Sequence, residues 1–191
     1  MATVAPGNQD DLVGVIVADH RTVELIFAEL ATAGGTPRHR RELADHLTTE
    51  LVRHSVAEEM YMYPAARKVL PDGDRVADHE IEEHAEVERL LKDLEGVDAT
   101  DRLFDDLIGR LSTEVRHHIG EEESDLLPRL QQACDPDELL ELGRMVARAK
   151  ASAPTRPHPS APTKPPLNLI LAPGTGMIDK LRDALTGRNR D

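Results

Sequence analysis

Apolar residues recur at three- and four-residue spacing along four long segments, the pattern of helices that each bury one face. Thr36 and Pro37 supply an N-cap and a proline at the first helical position of the second segment, while Pro64 and Pro128 should kink or restart helices two and four. The short connections make consecutive helices antiparallel neighbours, so the sequence predicts an all-α, up-down-up-down four-helix bundle. The predicted helices span about residues 10–33, 36–70, 72–96 and 100–133.

Three further segments are expected after the bundle. The acidic, proline-containing turn at 135–138 predicts a short fifth helix. Seven of the thirteen prolines lie between residues 153 and 173, which predicts an extended linker. An apolar stripe then predicts a short C-terminal helix within 176–185. We therefore divide the chain into a helical domain, 8–150, and a Pro-rich linker with a short C-terminal helix, 151–191.

The sequence matches itself without a gap when it is shifted by 64 residues. The bundle is thus predicted to contain two copies of one helical hairpin, related by a pseudo-two-fold axis. Each copy contributes one histidine from its first helix and a His-x-x-x-Glu motif from its second. The aligned pairs of potential metal ligands are His20 with His84, His54 with His118, and Glu58 with Glu122.

The spacing of these residues predicts a buried metal site. Side chains at i and i+4 project from one helix face, so His54 and Glu58, like His118 and Glu122, point side by side into the predicted core. Burying such groups unpaired would cost on the order of several kcal/mol per charge, a cost that a metal pair removes. A lone core histidine is more often structural, but three ligand pairs in one register favour metal binding. Imidazole and carboxylate ligands without thiolate suit iron or manganese better than structural zinc.

The doubled motif resembles the hemerythrin, or HHE cation-binding, family over about residues 8–132. The family resemblance implies a non-heme di-iron centre, in which two iron ions are bridged by two carboxylates and an oxo or hydroxo group. The residues that carry it are Asp19-His20, His54-x-x-x-Glu58-Glu59, His84 and His118-x-x-x-Glu122-Glu123. By that motif the terminal ligands are His20, His54, His84 and His118, and the bridges are Glu58 and Glu122.

Two departures from the oxygen-carrying members define the expected function. Those carriers have a fifth histidine where this sequence has Glu80, and their last motif is His-x-x-x-x-Asp rather than His118-x-x-x-Glu122. Both features resemble the four-histidine bacterial hemerythrin-like proteins. The resemblance implies binding of O₂, peroxide or NO at an open iron position, with peroxide decomposition or iron handling. The alternatives are an iron or oxygen sensor without turnover and a structural bundle with an empty site, and the pattern does not decide whether the chain is an enzyme.

Residues near the motifs receive simpler interpretations. Tyr61 follows His54 by seven residues and is predicted to pack in the core, with a role beside the metal as the alternative. Glu59 and Glu123 are predicted to be surface charges. His79 and His117 fall outside the ligand register and are predicted to be exposed.

Net charge and cysteine content limit the partners and the cellular location that can be expected. The net charge is −13, divided between −16 for residues 1–150 and +3 for 151–191. Residues 1–150 are acidic enough to repel the phosphate backbone of nucleic acids, so nucleic acid is not an expected partner. Cys134 is the single cysteine, and no early apolar stretch is long enough for a membrane span. We therefore expect a cytoplasmic protein without a membrane partner; any redox partner remains unknown.

Overall fold

The computed structural model describes residues 8–32 and 35–158, and this part of the chain consists of helices and short connections, without a strand. Two pairs of helices are joined end to end by π-helical turns, so the described chain forms five continuous rods, four of which make the bundle. The predicted all-α four-helix bundle is confirmed. The helices are α1 Leu12–Ala31, α2 Pro37–Ala57, α3 Tyr63–Val69, α4 Gly73–Leu94, α5 Arg102–Glu121, α6 Leu127–Ala133 and α7 Pro136–Ser152.

Capping residues set the beginnings of the first two bundle helices. The Asp11 side chain accepts a hydrogen bond from the N–H of Gly14 at 2.8 Å and caps α1. Thr36 accepts one from the N–H of His39 at 3.2 Å, and Pro37 begins α2. Because each cap satisfies a backbone donor that the first helical turn leaves free, these positions start helices.

Two apolar clusters form the core, one at each end of the bundle. Along α1, Ile16 belongs to the first cluster and Val23 to the second, and the buried His20 lies between them. The repeat places His84 in the same way on α4. The core therefore consists of two apolar regions with a buried polar layer between them.

A π-helical turn interrupts each of the two long rods at the polar layer. The turns are Glu58–Met62, between α2 and α3, and Glu122–Leu126, between α5 and α6. In each turn an N–H donates to the carbonyl five residues earlier, Tyr63 to Glu58 and Leu127 to Glu122. The prolines predicted to restart the helices lie in the first turns of α3 and α6.

The fifth helix is longer than predicted and packs against α1 and α2. Its buried face includes Leu139, Gly143 and Val146. Beyond it, residues 153–157 are also buried, and Arg156 pairs at 3.2 Å with Glu95, the residue that follows α4. Packed chain thus continues past 150, and the proposed domain boundary there stays a prediction. The predicted helix within 176–185 lies outside the described residues, and none of the described helices is long and apolar enough to span a bilayer.

The close contact of α7 with the start of α1 predicts the effect of a single methyl group. A Cβ on Gly143 would lie 2.4 Å from the carbonyl oxygen of Asp10 and 2.6 Å from the backbone carbon of Asp11. We expect Gly143→Ala to lower the free energy of unfolding by about 1–3 kcal/mol through overpacking. Gly109→Ala in α5, where a Cβ meets nothing within 4 Å, should raise it by roughly 0.5–1 kcal/mol. Shifts of the same sign in chemical denaturation would contradict this packing.

Candidate metal centre

The bundle brings all six predicted metal ligands together in the polar layer. The histidines come from four different helices, and each glutamate begins a π turn. None of the six is more than 5% exposed, so the site is withdrawn from bulk water. The six residues are His20 on α1, His54 on α2, His84 on α4, His118 on α5, and Glu58 and Glu122.

The first half-site contains His20 and His54. The Nε2 atom of His20 lies 3.2 Å from Oε2 of Glu122, and that of His54 lies 3.2 Å from Oε1 of Glu58. The two imidazole rings meet edge to face, with centroids 5.1 Å apart. These four residues can offer one ligand atom each within 4.8 Å of one another.

The second half-site contains His84 and His118 and uses the other oxygen of each glutamate. The Nε2 atom of His84 lies 3.3 Å from Oε2 of Glu58, and that of His118 lies 3.7 Å from Oε1 of Glu122. The two Nε2 atoms are 3.2 Å apart. Each glutamate therefore presents one oxygen to each half-site, which is the arrangement of a bridging carboxylate.

Outer carboxylates face the second ring nitrogen of two histidines. Nδ1 of His20 lies 2.9 Å from Glu123, and Nδ1 of His84 lies 3.2 Å from Glu59, so the repeat extends to these pairs. Arg21 also donates to Glu123, at 2.5 Å. The prediction that both glutamates are surface charges was wrong, because each directly follows a core glutamate within a π turn and contacts a core histidine.

The other two histidines have outer carboxylates from their neighbouring helices. Nδ1 of His54 lies 3.5 Å from Asp19, and Nδ1 of His118 lies 3.0 Å from Glu83, the residue that the repeat aligns with Asp19. Glu80 lies 3.0 Å from the same nitrogen of His118 and is 3% exposed. Its counterpart in the first hairpin is Ile16, so only the second half-site contains this additional carboxylate.

Tyr63 is the tyrosine in the centre, and the sequence analysis did not select it. Its fully buried hydroxyl lies 3.1 Å from Oε1 of Glu122, 3.1 Å from Nε2 of His84 and 3.4 Å from Glu58. The wide π turn places residue i+5 below Glu58, whereas an unbroken α-helix would place Tyr61 on the ligand face. Tyr61 packs against the first apolar cluster instead, as its favoured interpretation stated.

Charge is shared unevenly among the buried groups. Burial lowers the pKa of His20, but the facing carboxylates of Glu122 and Glu123 outweigh it and raise that pKa to about 9. Burial likewise lowers the pKa of His118, but the charge of Glu122 and hydrogen bonds to outer carboxylates raise it to about 10. In the metal-free protein these imidazolium groups compensate the carboxylates, and a metal ion must displace their protons to bind.

Of the other four ligands, the pKa values of His54 and Glu58 are shifted toward the neutral forms, and those of His84 and Glu122 toward the charged forms. Burial lowers the pKa of His54 to about 4. Burial and the neighbouring charge of Glu122 raise the pKa of Glu58 well above its usual value. Burial would also raise the pKa of Glu122, but the facing His118 and His20 hold it below its usual range. One glutamate thus carries the negative charge of the metal-free centre.

Buried polar atoms without a hydrogen-bond partner show whether a cation fits this centre. His20 Nε2, Glu58 Oε1 and Glu122 Oε2 are buried without a hydrogen-bond partner, and all three face the first half-site. Unpaired buried polar atoms are rare, because each one loses its hydration. A divalent cation between them would satisfy all three, so the residues present fit a metal.

Comparison with known proteins decides the family. The sequence model described as the hemerythrin HHE cation binding domain matches residues 11–130. The chain belongs to the hemerythrin HHE family. This domain binds metal cations, and the predicted metal-binding helical bundle is confirmed to that extent.

Three individual proteins are similar to this HHE chain. A hemerythrin-like protein of Schizosaccharomyces pombe is 32% identical over 171 residues, covering 89% of this chain and 84% of that protein. The crystal structure of an HHE domain-containing protein from Mycobacterium kansasii has a TM-score of 0.63 and 25% identity, covering 74% of this chain and 86% of that one. A DNA nickase of Nostoc sp. is 29% identical over 117 residues, which cover 61% of this chain and 32% of the nickase.

The outer carboxylates generate a prediction about metal affinity. Glu59→Ala removes the partner of His84 Nδ1, and loss of such a partner typically weakens metal binding about 10–100-fold. We expect the variant to keep its helicity and to release metal to a competing chelator at a lower chelator concentration. Glu82→Ala, at an exposed position of the same helix as His84, is the control and should match wild type. Equal chelator midpoints for the two variants would contradict the role of Glu59.

Proposed function

We propose that this chain is a non-heme di-iron protein that binds O₂, peroxide or NO. The observation that supports it best is the division of each glutamate between the two half-sites. Each ion would have two imidazole nitrogens and two carboxylate oxygens as protein ligands. Four protein ligands leave a six-coordinate ion with open positions for a small molecule.

The donor set and the surrounding charge favour iron over a structural zinc. Imidazole and carboxylate ligands suit iron and manganese, whereas structural zinc sites use four closed ligands, commonly with cysteine thiolate. Cys134 is buried in the first apolar cluster and is absent from the polar layer. Two divalent ions would bring a charge of +4, which two bridging glutamates and the surrounding outer carboxylates offset.

The protein's own groups would position and protect a bound ligand. Bound iron would supply the redox chemistry of the centre. Burial raises the pKa of Tyr63 well above its usual value, so its hydroxyl keeps a proton and donates a hydrogen bond within the second half-site. The outer carboxylates fix the orientation of the imidazoles through Nδ1. The apolar clusters on both sides exclude bulk water.

Peroxide decomposition is the activity that we favour, with iron handling as a related role. The asymmetry of the centre supports it, because the second half-site alone has a buried hydroxyl and an additional buried carboxylate, Tyr63 and Glu80. These groups can hold and move a proton beside a small oxygen-containing ligand. The partner would be that small molecule.

A sensor without turnover is the second candidate, and one contact favours it. Lys150 of α7 pairs with Asp19, whose other oxygen faces Nδ1 of His54. The position of the fifth helix is thereby connected to the first half-site. A change of metal state that moves His54 would be transmitted to α7.

We further propose a cytoplasmic location and no nucleic-acid partner. The buried free thiol of Cys134 is in keeping with a reducing compartment. The similarity to the nickase covers only 32% of that protein, and residues 1–150 carry a net charge of −16. A body this acidic opposes binding to phosphate backbones.

Metal analysis tests the di-iron assignment. We expect about two irons per chain after expression in iron-replete cells, because two half-sites share two bridges. Glu58→Ala and Glu122→Ala should each lose most of both ions, since each residue faces both half-sites. Glu114→Ala, at an exposed position of α5, is the control and should keep them. Stoichiometric zinc without iron, or unchanged iron in the Glu58 and Glu122 variants, would overturn the assignment.

Peroxide turnover separates the enzyme from the sensor. The iron-loaded protein should decompose hydrogen peroxide with multiple turnovers, and the same protein stripped of iron by a chelator should not. Tyr63→Phe should lower the rate while keeping the iron content, because only the hydroxyl is removed. A loaded protein that lacks turnover but binds NO reversibly would favour the sensor.

A further inference from the structure

A second group of ligand-type side chains lies on the outer surface of α4 and α5, outside the buried centre. Each helix contributes one His-x-x-x-Glu pair, in which the two side chains are one turn apart on the same face. The histidines are 49% and 60% exposed, and the glutamates 18% and 40%. We define the surface cluster as His79 and Glu83 of α4 with His117 and Glu121 of α5.

Three members of the surface cluster, His79, Glu83 and Glu121, can offer ligand atoms within 4.8 Å of one another, and His117 lies beside both carboxylates. His79 Nε2 lies 3.0 Å from Glu121 and 3.8 Å from Glu83. His117 Nε2 lies 3.5 Å from each of the same two carboxylates. Neighbouring ligands of a tetrahedral ion with bonds of about 2.1 Å are roughly 3.4 Å apart. The three mutually close groups are therefore within reach of one cation, and a side-chain rotation of His117 would add the fourth ligand.

The surface cluster is present in the second hairpin and has no counterpart in the first. The corresponding positions of the first hairpin are Val15, Asp19, Arg53 and Ala57. There the outer carboxylate, Asp19, pairs with Lys150 of the fifth helix. That side of the bundle thus uses a lysine ammonium to compensate the carboxylate.

On the α4–α5 side, Glu83 is faced by His79 and His117 from the solvent side and by His118 from within. Its two oxygens are divided between these directions: Oε1 faces the surface histidines and Oε2 faces His118. This division leaves an inner hydrogen bond intact while the outer oxygen is available to a cation. Two imidazoles and two carboxylates are also a donor set that divalent transition metals bind well.

We propose that the surface cluster binds one divalent transition-metal ion through Nε2 of His79 and His117 and the carboxylates of Glu83 and Glu121. The site shares no ligand with the buried centre. The ion would bind Oε1 of Glu83, whose Oε2 faces His118 of that centre. Through Glu83, occupancy of the surface would influence His118.

Zinc titration of the full-length protein tests the site. Isothermal titration with Zn²⁺ should show about one more bound ion per chain for wild type than for the double variant His79→Gln/His117→Gln. The matched control is His39→Gln/His46→Gln, which removes two exposed histidines of α2 and should bind as many ions as wild type. Because the buried centre is common to all three proteins, the difference between them reports the surface cluster alone.

Two outcomes would overturn the proposal. One is an equal number of zinc ions for wild type and His79→Gln/His117→Gln, with the same melting temperature. The other is loss of one ion from both double variants alike. Anomalous diffraction from Co²⁺-soaked crystals should place a peak between His79 and His117, and a peak elsewhere on the surface would also count against it. Absence of iron in the buried centre would refute the proposed function without changing these readouts.

Discussion

The structure depends on the burial of two glutamates between four imidazoles. A carboxylate transferred from water to a protein interior loses on the order of several kcal/mol unless other charges surround it. The bundle meets this constraint with a complete shell, in which the core histidines face Glu58 and Glu122 and outer carboxylates face the histidines. Helix lengths, π turns and the two apolar clusters all place this layer at the centre. A bound cation would balance the negative charge of the glutamates in this shell, and the match to a cation-binding family is consistent with such binding.

Duplication explains why the shell is almost symmetric. Each hairpin supplies the outer carboxylate for the histidine on its second helix, Asp19 for His54 and Glu83 for His118. Each hairpin also supplies, from its π turn, the outer carboxylate for the other hairpin's first histidine. The two hairpins therefore exchange partners across the pseudo-two-fold axis, and neither half could complete a half-site alone. This exchange ties the polar layer to the association of the two hairpins.

The sequence was sufficient to predict the fold and the grouping of the six ligands. Helical periodicity and an internal repeat can both be recognised in a single sequence. The sequence was insufficient for Tyr63 and Glu59, which depend on how the helix continues after Glu58. The interpretation assumed an unbroken α-helix, and the one-residue change of register in the π turn moved Tyr61 off the ligand face and Tyr63 onto it. A proline six residues after each core glutamate was the available signal, since it marks a helix that restarts.

The replacement of Ile16 by Glu80, and of Leu127 by Tyr63, has a consequence for how the centre would fill. If each half-site binds an ion, two sites with the same kinds of ligand but different surroundings would differ in affinity, and their ions would bind and leave in sequence rather than together. The half-site with the additional carboxylate would attract the first cation more strongly, and its partner would fill against the charge already present. The differences between the two hairpins would then make a nearly symmetric centre into two unequal positions, in which one ion could be exchanged while the other stays.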